Sequence, residues 1–313
     1  MVDKDLKKIS QLALASHGLK AAPEISSSAV FWDASFFQVA ESSLYRSLRS
    51  EQQQDFLARM SSHILHEACS IETAGLTYSA RMNLLSKSVD EKIIYALIGA
   101  EEALHLKSLE PFYQPLENTE RPYFAGLIHQ WIEKLERPSL LVMIQILLEG
   151  WGLTYYQSLA QNSLDPRLQA VLAQILQDES RHHATGVVLY RHESLPAQER
   201  EKLEQELITL FQCVQVGPQQ AAVELAVASG EKSVDFAQLL YEMNAVNDSQ
   251  SKIDKLKRLL EKTADERLIS ACLQKDLFKV YSLEQMAMVA ETQLTQKLKN
   301  SAPILNSQSE LSL

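Results

Sequence analysis

The amino-acid sequence predicts an all-α protein. Leu, Ala, Gln, Glu, Lys and Arg, all good helix formers, dominate its 313 positions. Apolar side chains recur at spacings of three and four, the period of an amphipathic helix, whereas the alternating β-branched runs that indicate strands are few. Glycine and proline number only nine each, so breaks between helices are sparse. We therefore predict helices throughout and no strand.

Eleven segments carry the helical period. Four of them, at 51–87, 90–110, 138–161 and 166–194, are long enough to form the central set of helices. The complete set of predicted helices is 3–17, 34–49, 51–87, 90–110, 120–136, 138–161, 166–194, 197–229, 232–244, 249–262 and 265–298.

Capping residues and prolines mark the breaks between these segments. Ser88 to Glu91, SVDE, has the pattern of a capping box, and Asp165 followed by Pro166 is an N-cap with proline at the first helical position. Pro138 opens another helix. Pro218 is expected to kink or break the helix predicted at 197–229, because it lacks the N–H that a helix interior requires.

Charge and cysteine content exclude several classes of protein. A formal net charge of -10 argues against nucleic acid or an anionic membrane as a partner. The three cysteines, Cys69, Cys213 and Cys272, form no CxxC pair, so the sequence lacks a zinc ribbon or a disulfide framework. The start, MVDKDLKKIS, does not have the pattern of a signal peptide, and no apolar run approaches ~18 residues. We expect a cytoplasmic protein.

Two Glu-x-x-His pairs are the strongest functional signal. Among the eight histidines only His105 and His182 have a glutamate three residues earlier, at Glu102 and Glu179. Residues three apart lie on one face of a helix, within about 5–6 Å at Cβ, so each pair can bind one metal ion. Carboxylate and imidazole ligands suit Fe, Mn or Zn. A surface ion pair is the alternative interpretation of either motif taken alone.

A second regularity strengthens the metal interpretation. Glu72 lies 30 residues before Glu102, and Glu149 lies 30 residues before Glu179. The midpoints of both intervals fall in predicted turns, so each pair sits at one level on the two arms of an antiparallel helix hairpin. Two such hairpins packed together bring all six side chains to one level of the core. Buried carboxylates among apolar neighbours need a cation to compensate their charge.

This ligand set resembles that of the ferritin-like di-iron carboxylate superfamily, in which two helices each give one Glu and two give Glu-x-x-His. The run DESRH, Asp178 to His182, looks like the motif of the superfamily's oxygenases and desaturases. The resemblance implies a ferritin-like four-helix bundle with additional N- and C-terminal helices. Its predicted parts are N-terminal helices packing on the bundle at 1–50, the di-iron bundle at 51–195, a C-terminal helical extension at 196–298 and a flexible tail at 299–313.

The resemblance also implies an activity. It predicts an O₂-dependent non-haem di-iron oxidase or oxygenase that acts on a small organic substrate by hydroxylation, N-oxygenation, desaturation or oxidative C–C cleavage. Two Fe ions, or one Fe and one Mn, would be the cofactors and O₂ the co-substrate. Electrons would come from an external donor or the substrate, and a homodimer is compatible with the size. The alternative is a ferritin- or rubrerythrin-like ferroxidase or iron-handling protein.

Other residues are candidates for supporting roles. Asp178 and Glu101 each precede a ligand glutamate, and either can hold the outer nitrogen of a ligand histidine or be an exposed charge. Arg181 is expected to pair with a neighbouring helix. His183 competes with His182 as the ligand, although Leu106 at the matching position of the first motif favours His182.

A substrate pocket beside the metals is also predicted. Several glycines lie within helices, close to the predicted ligands. They either open such a pocket or allow close helix packing, and the sequence leaves both interpretations open. Two tyrosines lie two turns from a ligand on the same face. The candidate pocket residues are Gly75, Tyr95, Gly99, Leu153, Tyr156 and Gly186.

Overall fold

The computed structural model of the chain describes Leu6, Ile9 and residues 29–113, 122–231 and 233–301. Every regular secondary-structure element over these residues is a helix, and none is a β-strand, as the composition predicts. None of the helices in this part of the chain combines the length and apolarity that a membrane span requires. The helix predicted at 3–17 lies outside the described residues except for Leu6 and Ile9, which are helical.

Twelve helices are numbered here in chain order within the described residues. The fifth is continuous over 137–162 and is made of three successive segments, the middle one π-helical. The helices are α1 (Ser43–Ser47), α2 (Ser50–Leu84), α3 (Val89–Leu109), α4 (Tyr123–Lys134), α5 (Arg137–Leu140, Leu141–Leu148 and Glu149–Asn162), α6 (Pro166–Tyr190), α7 (Ala197–Gln215), α8 (Gln219–Ser229), α9 (Phe236–Glu242), α10 (Ala245–Glu261), α11 (Glu266–Gln274) and α12 (Leu283–Ser301).

Two long helix hairpins form the centre of the molecule. Helix α2 packs along α3, α5 packs along α6, and α3 contacts α6. The predicted caps start both return helices: the Ser88 hydroxyl accepts the N–H of Glu91, and the Asp165 carboxylate accepts the N–H groups of Arg167 and Leu168. The Glu91 carboxylate accepts the N–H of Lys87 rather than that of the cap residue, so the capping box is shifted by one position.

Two separate apolar clusters make up the core. One contains Leu65, Ala68 and Cys69 of α2 with residues of α8, α9 and α12, and the other contains Ala74 and Tyr78 of α2 with residues of α4, α7 and α10. The boundary between the clusters crosses each of the four central helices where a predicted ligand lies. The metal-ligand candidates therefore form a polar layer between two apolar halves.

The π-helical segment of α5 ends directly before Glu149. Its residues, Leu141–Leu148, are nearly all buried and apolar except Gln145. A π-segment inserts extra residues per turn and changes the direction in which the following side chains point, which is why such segments occur at functional sites. Here it sets the rotation of Glu149 relative to α6.

The helix predicted at 34–49 is largely replaced by turns. Residues 34–42 form turns, and only Ser43–Ser47 of the segment predicted at 34–49 is helical. The Asp33 carboxylate accepts the N–H of Phe36, and Gln38 has a positive φ of 58°, so a local turn replaces the helix. The segment predicted at 197–229 breaks before Pro218, as expected.

The helix predicted at 265–298 is divided into α11 and α12. Asp276 has a φ of 54°, which ends the first part. The buried Gln215 amide on α7 donates to the backbone carbonyls of Asp276, Leu277 and Lys279, so the break is fixed by a side chain distant in sequence. Helix α12 continues to Ser301, and the rest of the predicted tail lies outside the described residues.

Candidate metal centre

Six side chains from the four central helices converge in the polar layer. Their ligand atoms form two groups, and within each group these atoms lie within 4.8 Å of one another. Glu179 belongs to both groups, so it stands between them. The first group is Glu72, Glu102, His105 and Glu179, and the second is Glu149, Glu179 and His182. This buried cluster of carboxylates and imidazoles can bind a metal ion.

Two polar atoms of the cluster have no hydrogen-bond partner among the described residues. They are Oε2 of Glu149 and Nδ1 of His182, and both are buried. An unpaired buried polar atom costs about 1–3 kcal/mol, and an unpaired charge costs more. Because the two atoms belong to the same ligand group, a cation between them would satisfy both. The donor set therefore fits a hard or borderline divalent metal.

The electrostatics of the cluster also indicate a cation-binding site. Burial and the neighbouring carboxylates raise the pKa of Glu102, Glu149 and Glu179. Burial alone would lower the pKa of His105, but hydrogen bonds with Glu102 and Glu72 raise it to about 11. In the metal-free protein, protons on these groups supply the positive charge that the buried carboxylates require. A bound metal would replace those protons.

The outer nitrogens of the two histidines are held by carboxylates across the helix interface. Nε2 of His105 on α3 lies 3.1 Å from Oδ2 of Asp178 on α6. Nε2 of His182 on α6 lies 2.7 Å from Oε2 of Glu101 on α3. The arrangement is reciprocal, since each helix orients the histidine of the other. It leaves both Nδ1 atoms facing the ligand glutamates, which is the orientation a metal ligand needs.

Arg181 connects these two supporting carboxylates. Its guanidinium donates to Glu101 on the neighbouring helix α3, over 2.7 Å, and to Asp178 on its own helix. The hydrogen bonds with His182 and then Arg181 lower the pKa of Glu101, which keeps this carboxylate ionised against the effect of burial. Arg181 therefore forms the predicted pair between helices, and it also fixes both supporting carboxylates.

His183 lies outside the cluster. Its Nδ1 donates to the backbone carbonyl of Gln145, over 2.8 Å, and its Nε2 is 3.0 Å from Nζ of Lys262, the residue that follows α10. Both nitrogens are therefore occupied on the side of α6 that faces α5 and α10. The structure places His182, and not His183, with the other ligand atoms.

The adjacent histidines provide a matched test of the ligand set. We expect His182→Ala to lower the affinity for the metal of its group by at least about 100-fold, because one of three ligand side chains is lost. His183→Ala should leave metal content unchanged while lowering stability, because it removes one buried and one partly buried hydrogen bond. Metal content after dialysis against Zn(II) or Mn(II) distinguishes the two variants. Equal metal loss in both would contradict this assignment.

Tyr156 contacts the first ligand group directly. Its hydroxyl donates a hydrogen bond to Oε1 of Glu72, whose other oxygen lies 3.1 Å from Nδ1 of His105. Burial, and then the charge of Glu72, raise the pKa of Tyr156 well above its ordinary value. The phenol therefore stays protonated and orients the Glu72 carboxylate.

Gln145 is a supporting residue that the sequence analysis did not identify. Its Oε1 accepts the hydroxyls of Tyr78 and Tyr95, and its Nε2 donates to the backbone carbonyl of His182, over 2.9 Å. The amide is fully buried and ties α2, α3 and α5 to α6 beside a ligand. Its signal in the sequence is that it interrupts the otherwise apolar run LVMIQILL.

A large cavity of about 1140 Å³ lies between α2 and α5 and opens onto the cluster. Four ligand glutamates line it, and so do Gly75, Gly152 and Tyr156. A Cβ at Gly75 would lie 2.6 Å from the carboxylate of Glu102, so only glycine leaves room there for this ligand. Exposed Tyr123 and Gln220 also line the cavity, which places its mouth at the surface.

Four of the predicted pocket residues do not line this cavity: Tyr95, Gly99, Leu153 and Gly186. Tyr95 instead binds Gln145. The two glycines serve close helix packing, which was the alternative interpretation. A Cβ at Gly99 would lie 2.8 Å from the Ser79 hydroxyl oxygen, and one at Gly186 would overlap the Cβ of Gln145.

Replacement of Gly186 should therefore affect stability. We expect Gly186→Ala to lower the free energy of unfolding by about 1–3 kcal/mol, because α5 and α6 must separate to admit the methyl group. Gly126→Ala on α4 is the matched control: nothing lies within 4 Å of its Cβ, so the better helix propensity of alanine should raise stability by up to about 1 kcal/mol. Urea denaturation measures both, and an equal response would argue against the close contact.

Comparisons of the chain with models of protein families, with curated protein sequences and with solved structures return no match.

Proposed function

We propose that the protein is an O₂-activating non-haem di-iron oxidase or oxygenase of the ferritin-like type, acting on a small organic substrate. The observation that carries the proposal is the position of the ligand cluster at the wall of a large cavity. Glu72, Glu102, Glu149 and Glu179 face both the histidines and this cavity. Metal ions held there would be within reach of a substrate that enters from the surface.

The six clustered side chains would hold two metal ions, with Glu179 between them. Two ferrous ions held by carboxylates supply O₂ with a pair of electrons. Asp178 and Glu101 fix the histidine rings by their outer nitrogens, and Tyr156 fixes Glu72. Rings and carboxylates held in this way need little reorganisation when the charge at the centre changes.

Apolar side chains form much of the cavity wall beside this centre. Ile71, Ile144 and Leu148 line it next to the ligands, and Phe124 and Trp151 lie further along. An apolar wall strengthens the electrostatic interactions of the centre and binds the apolar part of a substrate. The sequence carries no nucleotide- or flavin-binding motif, so we infer that electrons come from a separate donor or from the substrate.

The ferroxidase or iron-handling function remains the alternative. A ferritin bundle needs four helices, whereas this chain adds α7 to α12. Of these, α8 packs on α2, α7 and α10 pack on α5, and residues of α7, α8, α10 and α12 line the cavity. Helices that enclose a cavity are better explained by a specific substrate than by iron storage. Light scattering after size-exclusion separates the two, since a cage of many subunits would support storage and a monomer or homodimer would support the enzyme.

Iron loading tests the proposal directly. Under anaerobic conditions the metal-free protein should bind two Fe(II) per chain, and admission of air should then cause rapid O₂ consumption that the unloaded protein lacks. Competition between Fe(II) and Mn(II) during loading shows whether one position prefers manganese. Binding of a single zinc ion, or of no metal, would overturn the proposal.

A further inference from the structure

One carboxylate in the cavity has no partner. Glu67 on α2 lines the cavity, and it forms neither a hydrogen bond nor an ion pair with any residue that the structure describes. Burial raises the pKa of its carboxyl group, and the charge of His63 only partly offsets this. His63 is itself engaged, because its Nε2 lies 3.1 Å from Oε1 of Glu224.

The other charges around the cavity are balanced. Lys252 lies 2.6 Å from Asp248, and Lys297 pairs with Glu224. These two lysines are the only lysine or arginine side chains among the described residues that line the cavity. The ligand glutamates would be compensated by metal. Among the described residues, Glu67 is therefore the one carboxylate of the cavity wall that neither pairs with a cationic side chain nor belongs to the ligand cluster.

The wall of the same cavity carries a second polar side chain that has no partner among the described residues. Tyr155 on α5 lines the same cavity, and no hydrogen bond to its hydroxyl is found within the described ranges. Both side chains line this one cavity, and burial and then the charge of Glu67 raise the pKa of Tyr155. A carboxylate and a phenol oxygen, both free to accept, form a receptor for a group that has several N–H donors and a positive charge.

We propose that Glu67 and Tyr155 bind the ammonium group of an aliphatic amine, and that the substrate is an amphipathic amine whose apolar part lies along the cavity wall. This inference rests on the proposed oxygenase function and names the substrate class for the same site. Because Glu67 is a carboxylate, charge complementarity favours a cation as the ligand of this receptor. A carboxylate would be repelled by Glu67, and an arylamine is uncharged at neutral pH and gains nothing from it.

Glu67 and Tyr155 lie on the same helices as two of the metal-ligand candidates. Glu67 precedes Glu72 by five residues, a rise of roughly 7.5 Å along α2, and Tyr155 follows Glu149 by six residues, roughly 9 Å along α5. Ile71, which lies between Glu67 and Glu72 in the sequence, also lines the cavity. An ammonium group held at Glu67 would therefore place a carbon of its chain, rather than the nitrogen, beside the ligand carboxylates.

Binding of three probes of equal chain length tests the inference without turnover. Hexylamine, hexan-1-ol and hexanoate are titrated calorimetrically into the full chain loaded with redox-inert Zn(II). Wild-type protein should bind hexylamine about 10- to 100-fold more tightly than the other two, and Glu67→Gln should lose that preference. Glu51→Gln, the same change on the same helix away from the cavity, should behave as wild type. Zinc content and thermal stability show that Glu67→Gln is folded.

The outcomes separate this inference from the proposed function. A wild-type affinity of Glu67→Gln for hexylamine, or equal affinities of wild type for the three probes, would overturn the amine site. Fe(II)-dependent O₂ consumption is measured separately on the same preparations. Amine binding that depends on Glu67 but is accompanied by no O₂ consumption would uphold the site and refute the oxygenase. O₂ consumption without amine preference would do the reverse.

Discussion

Replacement of Glu179 by alanine is expected to abolish binding of both metal ions and with it all Fe(II)-dependent O₂ consumption. Glu179 is the residue that belongs to both ligand groups, and its Oε1 and Oε2 lie 3.6 and 3.4 Å from Nδ1 of His105 and His182. If the centre holds two ions as proposed, loss of the one side chain that both groups share would weaken the binding of each ion. We expect the iron content to fall from two ions per chain to near zero.

Two further substitutions make this test specific. Glu149→Ala should remove the ion of the second group alone, because Glu149 belongs only to that group. Glu133→Ala on α4, at an exposed position away from the site, should retain both ions. Iron per chain is measured after anaerobic loading and gel filtration. If Glu179→Ala still bound one ion tightly, the two groups would not share this ligand.

The position of the cluster was predictable from the sequence because it depends on helix geometry alone. Helices rise 1.5 Å per residue, so residues that are symmetric about a tight turn return to one level. Glu72 and Glu102 are symmetric about the turn at 85–88, and Glu149 and Glu179 about the turn at 163–165. A matched spacing of 30 residues thus encodes a common level without any tertiary information.

The rotation of each helix about its axis was not predictable in this way. Whether His182 or His183 faces the cluster depends on which side of α6 meets α5, and that is set by the contact of Gly186 with Gln145. The same contact explains why Gly186 serves packing and not the pocket. Crossed pairs such as Asp178 with His105 also require the angle between α3 and α6, which the sequence pattern does not contain.

Local turns and long-range caps account for the errors in the fold. The segment at 34–42 has helix-compatible spacing, but Trp32, Phe37 and Val39 are buried around a turn that closes against α5. Helix propensity is a weak prior when apolar side chains gain more by packing in another conformation. The break after α11 likewise depends on Gln215, which is about 60 residues earlier in the chain.

The stability of the metal-free protein is expected to fall as the pH rises above neutrality. His105 has a pKa raised to about 11, and the pKa of His182 is raised as well. Both hold protons more tightly in the folded protein than in the unfolded chain, where the pKa is about 6.5. Their stabilisation is complete below that value and is lost as the pH rises towards the folded pKa. Each contributes a slope of up to about 1.4 kcal/mol per pH unit.

Bound metal should reverse this dependence, because it occupies the place of the protons. Groups with lowered pKa values do not obscure the effect. Glu224, with a pKa lowered to about 2, affects stability only in acid, and His183, with a pKa lowered by burial, is neutral above pH ~7. Burial raises the pKa of Cys69 and Cys272 to about 12, so the thiols affect stability only where they titrate in the unfolded chain, near pH ~8.5 and above. Between about pH 7 and 8, thermal unfolding of EDTA-treated protein should therefore report mainly the cluster.

In that range the unfolding temperature of the metal-free protein should decrease with pH, whereas the increase caused by Zn(II) should grow, since fewer protons compete with the metal. His182→Ala removes one of the protonated groups, so it should flatten the metal-free slope and lower the response to zinc. His183→Ala should leave both slopes as they are. Constant stability of the metal-free protein across this range would contradict the prediction. It would show that protons on the two histidines do not compensate the buried carboxylates. The electrostatic argument that a metal ion replaces those protons would then fail.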